Sequence, residues 1–367
     1  MTQRKSDACR SPVGLARAGF VLCGLTVAGA LAWGALTGTG RIALLSGWVL
    51  PAVAALHLFQ QAGCGCAWHA LVERPRPSRR YFIWMRWIRS SIAALVPVSG
   101  VGAALVAVRL SIRGGIDAGM AGASLTLDAT VEMITQMLFT ASGIALFLAT
   151  APDPRMPGWS LPALAIAGLA VLLFIAAQRR GGLKLVERGL AQLARKWPRL
   201  ARLAEARLHD CLIRLYRGRR AALIAASYHF GAWLLGAGEI WLVLVAIGHR
   251  LPLAACVTVE SLSMAARSAG FFIPGGLGAQ EGGLIMAGSL VGLPPESALA
   301  IAVLKRLRDV AVGMPGLVAW LWTEGRHAPP AAPAHAPFTF PPPAAGQPES
   351  SAGQAGRGPR PQGSQAR

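Results

Sequence analysis

Acidic residues are scarce in this chain: 16 Asp and Glu stand against 36 Lys and Arg, and charged residues of both signs make up only 14% of 367 residues. With 54% hydrophobic residues and a mean hydropathy of +0.48, that scarcity excludes an ordinary soluble domain. Paired Cys-x-x-Cys spacing is also missing. Cys9, Cys23, Cys64, Cys66, Cys211 and Cys256 are scattered, which argues against a zinc ribbon or a disulfide framework. Cys64-Gly65-Cys66 near His69 reads as small membrane-helix residues rather than a metal patch, so neither metal nor cofactor is expected. No Ser/His/Asp or Cys/His arrangement marks a hydrolase. No nucleic-acid motif accompanies the net charge of +20; the cations lie between apolar runs, where cytoplasmic loops concentrate them.

What is present is a succession of apolar runs of roughly 20 residues, each able to cross about 30 Å of hydrocarbon. They predict an all-α polytopic integral membrane protein with about eight passages. A first helix is expected over about 14–35, following a cytoplasmic N-terminus (1–13), and reads as an uncleaved anchor despite its signal-like Ala28-Gly29-Ala30. A second is expected over 42–66, and further crossings over 120–149, 158–177, 221–248, 252–267 and 297–322. The basic stretch Arg74 to Arg89 is placed as a cytoplasmic loop, and 179–220, where arginines interleave with leucines, as a basic amphipathic helix on the same surface. The membrane domain is bounded at 14–325. The Pro/Ala/Gly-rich remainder, 326–367, lacks apolar periodicity and reads as a disordered tail.

Two apolar stretches are broken by Pro and Gly. Pro97, Gly100 and Gly102 interrupt Ser91 to Ser111, and Pro274-Gly275-Gly276-Leu277-Gly278 interrupts Gly270 to Val291. Bare backbone at membrane depth is tolerated only inside protein or beside a wet cavity, so both read as re-entrant segments. One break per half suggests two related halves around a midplane site.

Charges within apolar sequence mark the candidate site. Lys305 and Asp309 lie one turn apart, a spacing that permits pairing, while Arg306 and Arg308 leave cations to be met by Glu281, Glu260, Glu239 or Glu132, or by a lipid phosphate. Structural pairing and substrate binding are both open readings. Ser124, Asp128, Glu132, Gln136 and Thr140 recur every four residues on one helical face; the neutral members read as helix-to-helix glue and Glu132 as the functional one. Glu281, in the first turn after the second break, either caps a half-helix or completes the site. His229 reads as an interior histidine rather than a proton relay.

Phe272-Ile273-Pro274-Gly275-Gly276-Leu277-Gly278-Ala279-Gln280-Glu281 resembles the signature of the lysylphosphatidylglycerol synthase/flippase transmembrane family. Lys305-Arg306-Leu307-Arg308-Asp309 with Gly313-Met314-Pro315-Gly316-Leu317 resembles its hopanoid-biosynthesis-associated branch, and Leu127 to Phe139 is similar as well. The resemblance implies a bacterial inner-membrane lipid translocase with re-entrant helices around a hydrophilic cavity, without the soluble aminoacyl-transfer domain that some members carry. One departure stands out: where the family often has a glycine pair followed by an acid after Pro97, this chain reads Gly100-Val101-Gly102-Ala103-Ala104. The expectation is a flippase or exporter of a phospholipid or hopanoid-related lipid. Lys305, Arg306, Arg308, Gly275, Gly276 and Gly278 would hold the headgroup, and Glu132, Glu281 and Asp309 would balance charge or couple to protons. Its partners would be membrane lipids and hopanoid-biosynthesis enzymes, with no nucleic acid. An intramembrane enzyme, or a scaffold for hopanoid enzymes, is the alternative.

Overall fold

The computed structural model describes residues 47–96, 100–150, 218–269 and 278–325. The expected segments 14–35, 158–177 and most of 179–220, the residues Pro97, Pro274, Gly275 and Gly276, and the tail lie outside them. The described residues form eight helices and no strand: α1 (Val49–Leu71), α2 (Arg79–Leu95), α3 (Gly100–Arg113), α4 (Ala118–Thr150), α5 (Arg219–Ala246), α6 (Leu253–Ala269), α7 (Ala279–Leu290) and α8 (Pro295–Gly325). Among them α1, α4 and α5 are long and apolar enough to span a membrane, as the composition requires.

Each half runs long, short, short, long. The short helices set the architecture. At 14 and 12 residues, α3 and α7 are only about 21 and 18 Å long, too short for a 30 Å hydrocarbon core. Each instead folds back on the helix before it. Tyr81 at the start of α2 donates a hydrogen bond to the Leu110 carbonyl near the end of α3 at 2.7 Å. On the other side, a Cβ on Gly283 of α7 would lie 2.6 Å from the Ala266 Cβ of α6. Two corrections follow. Arg79 to Arg89 is not a loop but the first half of a packed helix, because Phe82, Met85, Ile88 and Ile92 give it a buried apolar face. The expected crossing over 252–267 and the helix after the second break also pack on one another, α6 (Leu253–Ala269) against α7 (Ala279–Leu290), rather than standing as independent passages.

The halves interlock with matching partners. α1 packs on α5; α4 packs on α6 of the other half, and α8 packs on α2. α1 and α5 run antiparallel, since Gln60 meets Glu239 whereas Gly63 approaches the Tyr228 carbonyl. The repeat is therefore inverted, related by a pseudo-two-fold lying across the bundle. The same close approach is built twice: a Cβ on Gly143 of α4 would sit 2.8 Å from the Ser261 Cβ, and one on Gly316 of α8 would sit 2.8 Å from the Ser91 Cβ.

This topology gathers the described loops into two ends. The α1–α2 and α3–α4 connections, the start of α5 and the end of α8 share one end, where Arg113 meets Glu324 at 3.2 Å. Arg74, Arg76, Arg79, Arg80, Arg109, Arg113, Arg219 and Arg220 all lie there, against Arg250 at the other.

Candidate functional site

Two clusters of buried charge sit inside the bundle, about 10 Å apart along α1, judged by the seven residues between His57 and Cys64.

The first is built by α4, α2 and α5. The four-residue polar stripe of α4 faces inward as its period demands. Ser124 accepts from the buried Trp68 indole at 3.2 Å, and Gln136 donates to the Met264 carbonyl at 3.1 Å and to Ser268 at 2.6 Å, so these residues bind helices together. Glu132 is held through both oxygens by the Arg86 guanidinium, at 2.5 and 2.9 Å. Asp128, fully buried, accepts from His229 Nε2 at 3.0 Å and lies 3.4 Å from Arg89 and 3.6 Å from Arg86. Planar two-point guanidinium–carboxylate geometry is the strong form of ion pair. Glu132 thus meets Arg86 and not the Lys305 cluster.

Cys64, Glu132 and His229 each bring a ligand atom within 4.8 Å of the others. The donor types suit a transition metal, with Asp128 orienting the imidazole from behind. The electrostatics do not: both Glu132 oxygens are engaged by Arg86, and Arg89 adds a second positive charge beside them.

The second cluster is built by α8, α5, α6, α7 and α1. Lys305 reaches Glu260 at 2.5 Å and Glu239 at 3.9 Å. Arg308 bonds Glu239 and, at 2.6 Å, Asp309. The spacing that permitted a Lys305–Asp309 pair is overridden, because Glu260 from α6 is nearer to the lysine. Arg306 meets Glu281 at 2.5 Å, and the other Glu281 oxygen accepts the Gly278 amide at 2.7 Å. Capping and charge pairing are thus carried by one carboxylate. Gly278 takes φ +84° at this cap, a conformation that glycine reaches without a Cβ clash. From α1, Gln60 donates to Glu239 at 2.7 Å and His57 stands 3.5 Å away. With Arg267 on Gln280 at 3.0 Å, four cations face four carboxylates, so the cations that the sequence left uncompensated find partners on other helices.

Members of the two clusters recur at a similar spacing along the chain. His57 and His229 are 172 positions apart, Glu132 and Lys305 are 173, and Arg86 and Glu260 are 174. In the first cluster α2 supplies Arg86 and Arg89 and α4 supplies Asp128 and Glu132; in the second, α6 and α7 supply Glu260 and Glu281 beside Arg267, α5 supplies Glu239, and α8 supplies Lys305, Arg306 and Arg308 beside Asp309. Gly236 serves the second cluster by omission: a Cβ there would come within 2.6 Å of Glu260 Oε1.

Sequence reasoning passed over Arg86 and Arg89, whose charge was absorbed by the loop reading, and gave His229 little weight. The available signal was Arg86 lying on the same four-residue face as Phe82. Gly102 lies in α3, whereas Pro97, Pro274, Gly275 and Gly276 fall outside the described residues.

No curated protein and no solved structure matches the chain. The family described as the lysylphosphatidylglycerol synthase TM region matches residues 16–316, which take in both hairpins, both clusters and the helices that join them. An all-helical polytopic bundle with inward-facing charges fits that match, and the chain belongs to the lysylphosphatidylglycerol synthase transmembrane family.

Proposed function

We propose that this protein is a lipid flippase or exporter of the bacterial inner membrane, acting on a phospholipid or hopanoid-related lipid, with its basic end and both termini in the cytoplasm. The observation that carries the reading is the pair of self-neutralised ion clusters buried at two depths of the bundle. Burying eight or more charges adds nothing to a static bundle that apolar residues would not supply as well, since replacing buried ion pairs by packed apolar residues is commonly neutral or stabilising. Ionisable groups at depth are instead the usual mark of a polar pathway.

An anionic headgroup arriving at the second cluster competes with Asp309, Glu239 and Glu281 for Arg308, Lys305 and Arg306. The amides after Gly278 face the same place. Carboxylates released from their cations then take protons. A headgroup that binds one arrangement better than the other shifts the population between them, which is the minimum an alternating cycle needs. Acyl or polycyclic tails stay in lipid.

The test is a leaflet-resolved lipid comparison of cells carrying the wild-type chain, a deletion, and Arg308→Ala at matched protein level. Altered sidedness of an unaltered lipid set supports translocation. Loss of a lipid species instead supports the enzyme reading, and an unaffected Arg308→Ala strain removes the charged site from the account.

A further inference from the structure

Away from both clusters, a cavity of about 720 Å³ opens at the basic end of the bundle, between the last turns of α1 and the first turns of α5. His69, Arg76, Arg79, Arg219 and Arg220 line it, and among the described residues no carboxylate does. Among the described residues none of these four arginines is paired with an acid, in contrast to the arginines of both buried clusters. Arg76 is partly spoken for: its guanidinium donates to the His69 carbonyl at 2.7 Å and the Val72 carbonyl at 2.5 Å, which fixes it at the end of α1. Burial, followed by the charges of Arg74 and Arg79, lowers its pKa from the usual arginine value, as expected where cations crowd without compensation. Arg79, Arg219 and Arg220 are exposed and free to turn.

The floor changes character with depth. One turn into α5 from Arg220 the lining becomes Ile224 and then Tyr228, both substantially exposed, with Leu223 exposed on the neighbouring face. A cationic mouth that continues into an apolar wall along a membrane-spanning helix matches a molecule with a phosphate at one end and hydrocarbon at the other. A soluble phosphate would use only the mouth. Basic pockets between spanning helices at the membrane surface are suited to phospholipid headgroups in this way, each cation near the surface being worth about 1 kcal/mol.

We infer that the cavity between α1 and α5 is a binding site for an anionic phospholipid, with Arg79, Arg219 and Arg220 on its phosphate and Ile224 and Tyr228 along its acyl chains. Its role as the cytoplasmic entrance for transported lipid rests on the translocation reading; the binding does not.

The experiment titrates the purified full chain in neutral detergent with phosphatidylglycerol, phosphatidylcholine and inorganic phosphate, and counts bound molecules by native mass spectrometry. Wild-type protein is expected to retain phosphatidylglycerol in preference to phosphatidylcholine. Arg219→Ala/Arg220→Ala, at two exposed positions, is expected to weaken that retention at least about tenfold, and Arg79→Gln to weaken it by a smaller factor. An unaltered elution profile shows the variants to be folded. Equal retention of both lipids, or variants that bind like wild type, overturns the site. Binding of inorganic phosphate that displaces the lipid entirely, with acyl chains adding nothing, overturns the lipid assignment in favour of a free phosphate. Intact lipid binding in a chain that moves no lipid leaves this site standing and contradicts the translocation reading instead.

Discussion

At the scale of single residues, the buried charges are interdependent, and the cost of removing one depends on what is left behind. Arg86→Met strands Glu132 from its main cation, a loss of roughly 3–5 kcal/mol for a broken buried pair. Arg86→Met/Glu132→Met removes both charges and is expected to recover most of that stability. Thermal denaturation in detergent checks it: a double variant less stable than the single would show that the pair is a structural necessity. Gly236→Val is a second residue-scale case. Its side chain would enter the space of the Glu260 carboxylate, so we expect loss of transport with the bundle still folded, measured as lipid movement against the elution profile of the purified variant. Lys305, Arg306 and Arg308 were legible as buried charges because cations inside an apolar run stand out from their surroundings. Arg86 and Arg89 were not, because cations near a membrane surface do, and only the helical phase of Arg86 against Phe82 separates the two cases.

At the scale of elements, the sequence showed both Pro/Gly breaks and read them as re-entrant, but it did not show which helices pack against one another around them. Breaks are local chemistry, whereas the return of α3 onto α2 and of α7 onto α6 depends on lengths and contacts that no window along the chain contains. The long helices α4, α5 and α8 were legible to within a few residues, since continuous apolar runs have no competing reading. The inverted repeat predicts paired consequences. Alanine at Gly143 or at Gly316 meets a serine Cβ at 2.8 Å on the opposing hairpin, and each substitution is expected to cost about 1–3 kcal/mol through overpacking. Gly231→Ala, with open space around it, is the neutral control. Thermal shifts that match between Gly143→Ala and Gly316→Ala would bear out the equivalence of the two packings; a cost confined to one half would deny it.

At the scale of the whole molecule, the two halves share an order of helix lengths that residue identity does not display. Glu132 and Lys305 lie 173 positions apart and carry opposite charge, so residue identity does not reveal the likeness between the halves. Topology is the first molecular-scale prediction. In a cysteine-free background, single cysteines at His249 and Glu296 should react with a membrane-impermeant maleimide in intact cells, while one at Asp117 should react only after permeabilisation. Labelling of all three would contradict the gathering of basic loops at the cytoplasmic end. The most direct measurement of the central claim is lipid movement between leaflets of proteoliposomes containing the purified chain, compared with Arg308→Ala and Glu239→Gln at equal reconstitution. We predict that the wild-type chain moves phospholipid well above protein-free vesicles and that each variant slows it at least about tenfold, roughly 1.4 kcal/mol of barrier. Movement at the wild-type rate in both variants would contradict a pathway through the buried charges.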